Sequence, residues 1–370
     1  MSYKTYIAMF VLSGLGAFWL TPLAAWLAHR YGAIDLPGPR KLHARPMPRM
    51  GGVAVYLGFL LPWAGLYILH NLITDEFQNS EKQFLSLVLG ATAMLTLGVY
   101  DDIKGANALK KLLAQSFIAV GMWLAHFRIT ALQNPWGHAI DLGWVGLPIT
   151  VLWIVGITNA INLLDGIDGL VTGVTAFMAI ALAIINAIGG HVVVALLTVS
   201  LAGACFGFLP YNHSPARIFL GDSGSLTIGL VLACVGIASF FQDSHHAASP
   251  LISVPLILLG LPVFDTCRVM FKRWRRGVSI FQADKGHVHH RLLELGFNHR
   301  QAAWFLYAIA IITGSFSIAL VLVGTHRQLP FTLLFCFLSL AAGFVWKRWA
   351  RSQDGGNRHS DEPTPEDRPR

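Results

Sequence analysis

The chain has 370 residues, of which 54% are hydrophobic and only 12% are charged, and its mean hydropathy is +0.56. Soluble globular proteins usually carry about 25% charged residues, so the composition excludes that class and predicts a polytopic membrane protein. The net charge of +8 is concentrated between apolar segments, where it is a topology signal that also favours lipid headgroups and phosphates, with no nucleic acid implied.

Eleven apolar segments predict an all-α, polytopic integral membrane protein with about 11 transmembrane helices. In chain order they are Tyr6–Ala28, Gly52–Leu69, Phe84–Tyr100, Leu109–Phe127, Trp144–Thr158, Leu170–Ile188, Val192–Leu209, Ser225–Phe241, Pro250–Phe271, Ala302–Val323 and Pro330–Trp346. The four cysteines lie singly inside such segments, so we predict small core residues and neither disulfides nor a zinc site.

Basic residues orient these segments. All but four of the 27 Lys and Arg residues fall in one set of connections or in the C-terminal tail; the exceptions are Lys4, Lys82, Arg128 and Arg327. The positive-inside rule then predicts an external N-terminus and a cytoplasmic C-terminus. We expect residues 1–350 to form the membrane-embedded domain with its cytoplasmic loops, and residues 351–370 to form a polar, disordered tail.

Carboxylates lie at the ends of several segments on the predicted cytoplasmic face. Asp101 and Asp102 end the third segment, Asp165 and Asp168 lie between the fifth and sixth, and Asp222 precedes the eighth. Acids at the edge of hydrocarbon are costly, and beside basic loops they suit Mg²⁺ and phosphate. The alternative interpretation is a set of solvated helix ends.

Residues Asn159–Leu170 read N-A-I-N-L-L-D-G-I-D-G-L. Asn159, Asn162, Asp165 and Asp168 recur every three residues, so on a helix they share roughly one half of the surface. This pattern favours a ligand or a cation, and the alternative is a helix C-terminus followed by turn residues.

Asp222 lies between Gly221 and Gly224, where exposed backbone N–H groups of a helix start favour an anionic group. The alternative is an ordinary Gly/Ser turn. Phe219 is either a core residue or a face for a flat base.

The longest basic connection, Lys272–Arg300, contains His287, His289, His290 and Arg291. These donors favour anion binding; zinc is the alternative, but no fourth ligand is evident. The aliphatic pattern that follows predicts a short helix along the membrane surface.

Taken together, R-K-L-H-A-R-P-M-P-R-M-G-G, L-G-V-Y-D-D, N-A-I-N-L-L-D-G-I-D-G-L, F-L-G-D-S-G-S and D-K-G-H-V-H-H-R-L resemble the motifs of the polyprenyl-phosphate N-acetylhexosamine-1-phosphate transferases, glycosyltransferase family 4. The resemblance spans roughly Asp35–Leu295. The H-V-H-H group is similar to the branch that begins O-antigen, enterobacterial common antigen or teichoic acid synthesis, and less similar to the phospho-N-acetylmuramoyl-pentapeptide branch.

The resemblance implies Mg²⁺-dependent transfer, with Mn²⁺ as an alternative ion, of a sugar 1-phosphate from a UDP-sugar to undecaprenyl phosphate with release of UMP. UDP-N-acetylglucosamine is the default donor; other UDP-N-acetylhexosamines and phospho-N-acetylmuramoyl-pentapeptide are alternatives. The implied location is the bacterial cytoplasmic (inner) membrane, where the chain is surrounded by membrane lipid and its active site faces the cytoplasm. Some members of the family form homodimers, so a homodimer is a further expectation.

Site residues follow from the matched motifs. Asp222 and Asp165 are implied metal ligands, and Asp101 and Asp102 form the pair that activates the acceptor, either being the base. The implied substrate contacts are Asn162, Asp168, Asn212 and Phe219 for the nucleotide, His287, His289, His290 and Arg291 for the diphosphate or sugar, and Lys41, His43 and Lys110 or Lys111 for phosphate.

A rival interpretation is a transporter of anionic or lipid-linked substrates, in which intramembrane acids relay cations. Transporters of that kind more often show paired repeats and polar residues near the middle of the membrane. This sequence shows no repeat and gathers its acids at one face. The residues leave open whether transfer is direct or passes through an aspartyl-phosphate.

Overall fold

A computed structural model describes residues 3–37, 45–68, 74–133, 139–241, 253–278, 286–323, 328–337 and 339 of the protein. The described chain is mainly helical, with these helices: α1 Tyr3–Tyr31, α2 Gly51–Ile68, α3 Thr74–Lys104, α4 Ala108–Leu124, α5 Gly146–Leu164, α6 Leu170–Ile188, α7 Val192–Asn212, α8 Gly221–Phe240, α9 Ser253–Leu258, α10 Gly260–Arg275, α11 Val288–Glu294, α12 His299–Val323 and α13 Gln328–Phe337.

Two short antiparallel hairpins, which the sequence did not predict, join some of the helices. In the first, β1 (Ile34–Asp35) pairs with β2 (Met47–Pro48) between α1 and α2. In the second, β3 (Ala131–Gln133) pairs with β4 (Ala139–Asp141) between α4 and α5. The first hairpin matters for function, because it places basic residues of the first predicted cytoplasmic connection beside α8.

Among the described residues, seven helices are long and apolar enough to cross a membrane, judged by length and composition. They are α1, α3 from Ser80, α5 with the 3₁₀ turn before it, α6, α7, α8 and α12, while α2 and α13 contain shorter apolar helices. The predicted all-α, multi-pass membrane protein is therefore confirmed. The count of eleven spans and the orientation stay predictions.

Two predicted boundaries were wrong. Helix α5 continues to Leu164, six residues past the predicted end at Thr158, because Asn159 and Asn162 find hydrogen-bond partners on neighbouring helices. The predicted segment Pro250–Phe271 contains two described helices, α9 and α10, separated at Leu259.

Helix α8 is the central helix of the bundle. Nearly all of its residues are buried, and it packs against α2, α3 and α5. Close packing without a large apolar driving force requires small residues, and α8 is rich in Gly, Ala and Ser. The peripheral α1 instead exposes Trp19 and Trp26, as a lipid-facing helix does. The N-terminus of α8 is therefore surrounded by other helices.

The predicted core position of the cysteines was right for two of them. Cys205 and Cys234 are buried, whereas Cys267 and Cys336 are exposed on the surfaces of α10 and α13. All four are free thiols, as predicted. An apolar run does not distinguish a helix face that packs on protein from one that faces lipid.

Candidate active site

A cavity of about 1240 Å³ opens at the end of the bundle where α3 and α5 end and α4 and α8 begin. Its polar lining residues are Asp35, Arg45, Arg49, Lys111, Asn162, Asp165, Asp168, Asn212, Ser214, Arg217, Asp222, His290, Asn298, His299 and Arg300. Small-molecule sites usually measure about 300–1000 Å³, so this one has room for an extended ligand.

One wall of the cavity centres on an ammonium group between two carboxylates. Lys111 Nζ lies 2.6 Å from Asp101 Oδ2 and 2.6 Å from Asp222 Oδ2. The amide of Asn162 donates to Asp222 Oδ1 at 3.1 Å and to Ser225 Oγ at 2.9 Å. We call Asp101, Lys111, Asn162 and Asp222 the acidic wall. Both oxygens of Asp222 have partners, so its orientation is fixed.

Asp102 plays a different part from its neighbour Asp101. Its side chain is buried, and its carboxylate accepts the backbone N–H groups of Asp222 at 2.9 Å and Ser223 at 3.0 Å. The carboxylate thus caps the first turn of α8, where an anion is favourable, and Arg49 lies 3.7 Å away. Asp102 does not line the described cavity, and Asp101 contacts it through Lys111. A role for either in acceptor activation stays a prediction.

Asp165 and Asp168 follow the end of α5 and line the cavity. Burial, together with the negative charge of Asp222, raises the pKa of Asp165 to about 8. Asp168 Oδ2 accepts the backbone N–H of Ala216 at 3.0 Å and so ties the α7–α8 loop to the α5–α6 loop. Asp165 and Asp222 therefore meet at one cavity, as the sequence predicted.

The predicted nucleotide contacts Asn212 and Phe219 also reach the cavity wall. The amide of Asn212 is already used, however: Nδ2 donates to Ile218 O at 3.0 Å, and Oδ1 accepts from Thr172 at 2.7 Å. Asn212 is buried, so in this arrangement it shapes the loop. Phe219 is half-buried and leaves part of its ring at the cavity.

The structure corrects the prediction that four residues of the histidine segment all face the ligand. In the described cavity, His290 is the member that lines the wall. His287 and His289 are buried and Arg291 is exposed, because the segment forms α11 and successive residues point in different directions. Burial and the neighbouring imidazoles of His290 and His287 lower the pKa of His289 to about 3, so this ring is neutral.

His289 packs against the backbone at Gly166, immediately after Asp165. A Cβ atom at Gly166 would overlap the imidazole, so only glycine permits this approach. The predicted short helix is present as α11, and its place along the membrane surface stays a prediction. Through His289, α11 contacts the loop that carries Asp165.

A second group of cavity-lining residues is basic, and sequence reasoning missed most of it. We call Arg217, His290, His299 and Arg300 the basic wall; all four line the cavity. Arg300 Nη2 donates to Ser214 O at 3.2 Å. The available signal was a capping pair at the start of α12, where Asn298 and Gln301 exchange backbone-to-side-chain hydrogen bonds.

The first hairpin adds Arg45 and Arg49 to the cavity lining. Both belong to the basic segment noted in the sequence, but were not singled out. Arg49 lies 3.7 Å from Asp35 as well as from Asp102. The predicted phosphate contacts Lys41 and His43 lie outside the described residues, and of the pair Lys110 and Lys111 the structure places Lys111 in the cavity.

The acidic wall and Asp165 fit a magnesium ion by their donor chemistry. Within the described ranges, no three His, Cys, Asp or Glu side chains form a ready-made metal cluster. Magnesium does not require one, since it binds through one or two carboxylates with waters and phosphate oxygens. The ammonium of Lys111 against Asp222 shows that a cation is favourable at this carboxylate.

Comparison with known proteins agrees with the motifs. The family model described as glycosyl transferase family 4 matches residues 84–240. The chain is 33% identical to the probable undecaprenyl-phosphate N-acetylglucosaminyl 1-phosphate transferase of Bacillus subtilis, over 90% of this chain and 89% of the relative. It is 35% identical to the decaprenyl-phosphate N-acetylglucosaminephosphotransferase of Mycobacterium tuberculosis, over 76% of this chain and 74% of the relative.

A third relative has a lower sequence identity, but the match again covers most of both chains. The chain is 26% identical to the undecaprenyl-phosphate alpha-N-acetylglucosaminyl 1-phosphate transferase of Escherichia coli O157:H7, over 92% of this chain and 90% of the relative. The family match, residues 84–240, includes all four residues of the acidic wall. The chain therefore belongs to glycosyl transferase family 4, the polyprenyl-phosphate N-acetylhexosamine-1-phosphate transferases that its motifs resemble.

Proposed function

We propose that the protein transfers N-acetylglucosamine 1-phosphate from UDP-N-acetylglucosamine to undecaprenyl phosphate at the cytoplasmic face of a bacterial inner membrane, releasing UMP. The product would begin a lipid-linked cell-envelope polysaccharide of the O-antigen, common-antigen or teichoic acid type. The names of the relatives support the reaction class. The excess of basic residues on one side supports the orientation.

The observation that carries the proposal is the pairing of the two walls at one end of an apolar bundle. A phosphate monoester that attacks a diphosphate must overcome repulsion between anions, so cationic groups have to surround the reacting oxygens. Lys111 belongs to the acidic wall, and Arg217, His290 and Arg300 line the same cavity. The lipid acceptor cannot leave the bilayer, so a cavity at the end of the bundle is where it meets a water-soluble donor.

Each group of cavity residues has its own role in the proposed reaction. Asp222 and Asp165 would hold Mg²⁺, which would neutralise charge on the diphosphate when bound. Lys111 holds Asp222 in place, and the basic wall binds and orients the donor phosphates. Phe219 offers its partly exposed ring to the uracil base, and Asp168, which lines the same cavity, would also contact the nucleotide. Asp101 lies in the last turn of α3 and would act on the lipid acceptor.

The test uses the purified protein in detergent with a short polyprenyl phosphate, Mg²⁺ and UDP-N-acetylglucosamine. We expect UMP release that requires both the lipid and the metal. A panel of UDP-N-acetylhexosamines and UDP-N-acetylmuramoyl-pentapeptide then ranks the donors. If no donor in the panel gave metal-dependent UMP release, the transferase proposal would be overturned. Transport of an intact anionic substrate into proteoliposomes would then favour a transporter.

A further inference from the structure

A buried carboxylate that the sequence motifs do not include organises the histidine segment. Asp265 lies on α10 and is 1% exposed. Burying a carboxylate is unfavourable unless its oxygens accept hydrogen bonds or face a cation. Its partners therefore indicate what the charge is for.

The three hydrogen-bond partners of Asp265 either belong to the start of α11 or contact the residue that precedes it. Oδ1 accepts the backbone N–H of Val288 at 2.9 Å and Nη2 of Arg268 at 3.0 Å, and Oδ2 lies 2.8 Å from His287 Nδ1. Arg268 also donates to the carbonyl of Gly286. The carboxylate thus does for α11 what a side-chain N-cap does, but from another helix.

Two further contacts connect the Asp265–His287 pair to the cavity. The rings of His287 and His289 are parallel, with an angle of 5° and centroids 5.8 Å apart. His289 in turn packs on Gly166 beside Asp165. His290, the next residue, lines the cavity. The position of the first turn of α11 therefore sets where His290 stands relative to Asp165.

The His287 contact also fixes a proton. An ionised carboxylate accepts hydrogen bonds and cannot donate one, so Nδ1 of His287 carries the hydrogen. The hydrogen bond therefore fixes both the position of the His287 ring and the direction in which its Nδ1–H points. A neutral amide in place of the carboxylate would remove that constraint while keeping almost the same volume.

We propose that Asp265 is a positioning residue for the transferase reaction, acting through His287 and the first turn of α11 to hold His290 at the cavity. The inference rests on the proposed function. A positioning residue differs from one that only stabilises the fold, because its substitution lowers kcat in protein that is still folded. A displacement of about 1 Å near the reacting atoms costs on the order of 100-fold in rate.

The test compares Asp265→Asn and Asp265→Ala with Val269→Ala. Val269 is a buried residue on the same helix, and its apolar side chain takes no part in the hydrogen bonds of Asp265. We expect kcat to fall about 100-fold in Asp265→Ala and about 10-fold in Asp265→Asn, with less change in KM for the donor. We expect Val269→Ala to keep the wild-type kcat even where its melting temperature falls.

A second measurement does not depend on activity. Hydrogen–deuterium exchange of peptides covering residues 286–295 should speed up in both Asp265 variants and not in Val269→Ala, while peptides from α8 keep their protection. Wild-type kcat and exchange in folded Asp265→Asn would overturn the inference, as would an equal loss of kcat in Val269→Ala. A wild-type protein inactive with every UDP-sugar would overturn the proposed function instead, and the exchange data would still decide whether Asp265 holds α11.

Discussion

The acidic and basic walls of the cavity are built in different ways. The side chains of Asp101, Lys111, Asn162 and Asp222 form one chain of hydrogen bonds, and these residues belong to the buried α8 and to three other long helices. The groups of the basic wall come from the α7–α8 loop, the seven-residue α11 and the first turn of α12. Arg300 is held through the backbone carbonyl of Ser214, and the ring of His290 lies beside that of His289.

This difference indicates a division between fixed chemistry and adjustable recognition. Groups that share hydrogen bonds in a low-dielectric region are strongly coupled, so changing one disturbs the others. Groups mounted separately on loops can change one at a time. We therefore expect substitutions in the acidic wall to abolish the reaction and substitutions in the basic wall to alter its strength or its choice of donor.

The largest expected effect tests the acidic wall at its centre. Asp222→Asn keeps the size of the side chain but removes the charge that Lys111 and a metal ion would share. We expect Mg²⁺-dependent UMP release to fall by about 1000-fold, since electrostatic stabilisation is usually the largest catalytic contribution. A thermal-shift assay should show that the variant is folded, and normal turnover would refute the assignment of Asp222.

Lys111→Met tests the coupling inside the same wall. Without the ammonium, Asp101 and Asp222 lose the cation that both contact, and repulsion between carboxylates makes their joint ionisation costly. We expect a loss of about 100-fold in kcat. Lys110→Met is the matched control, because Lys110 is exposed and outside the cavity lining; an equal loss in both variants would mean that only general basic charge matters.

The third prediction separates neighbouring residues of the histidine segment. His290→Ala removes a group from the basic wall, and we expect kcat to fall about 100-fold, at least as much as in Asp265→Ala, which only displaces that group. Arg291 is exposed and does not line the described cavity, so Arg291→Ala should stay within about twofold of the wild type. If Arg291→Ala proves the more damaging change, the helical phase of α11 given by the structure does not apply to the working enzyme.

The smallest expected effect is a pH dependence of stability that involves Asp165. Its pKa is about 8 in the folded chain against an ordinary value of 3.8, so between those values the folded state holds a proton that the unfolded state lacks. Metal-free stability should therefore fall as pH rises from about 4 to about 8. Bound Mg²⁺ favours the ionised carboxylate, so the rise in melting temperature on adding Mg²⁺ should be larger at pH 8.5 than at pH 6.

Asp165→Asn provides the control for this measurement. The amide does not titrate, so both the decline with pH and the pH dependence of the Mg²⁺ effect should become weaker. An unchanged profile in Asp165→Asn would assign the effect to another group.

The sequence predicted the convergence of acids because the constraint is simple. Membrane spans alternate in direction, so carboxylates at the ends of α3 and α5 and the start of α8 reach one side of the bundle. It did not predict the partner of each acid. Lys110 and Lys111 are equivalent in a sequence and differ only by about 100° on α4, which places Lys111 alone between Asp101 and Asp222.

Contacts between distant segments account for the rest. The bonds from Asp102 to the start of α8 and from Asp265 to the start of α11 join residues far apart in the chain. No local pattern records them. Asp265 did leave one sign, a carboxylate among apolar residues, which in a membrane protein is a reason to look for a function. The basic residues of α12 gave a weaker sign, since a capping pair marks only a helix start.

The contact of His289 with Gly166 has a consequence for how the enzyme family can diversify. The spacing between the histidine helix and the Asp165 loop is set by atoms in direct contact, so it does not depend on the lengths of the connections that lead to them. Those connections can therefore gain or lose residues while the distance between α11 and the Asp165 loop stays the same.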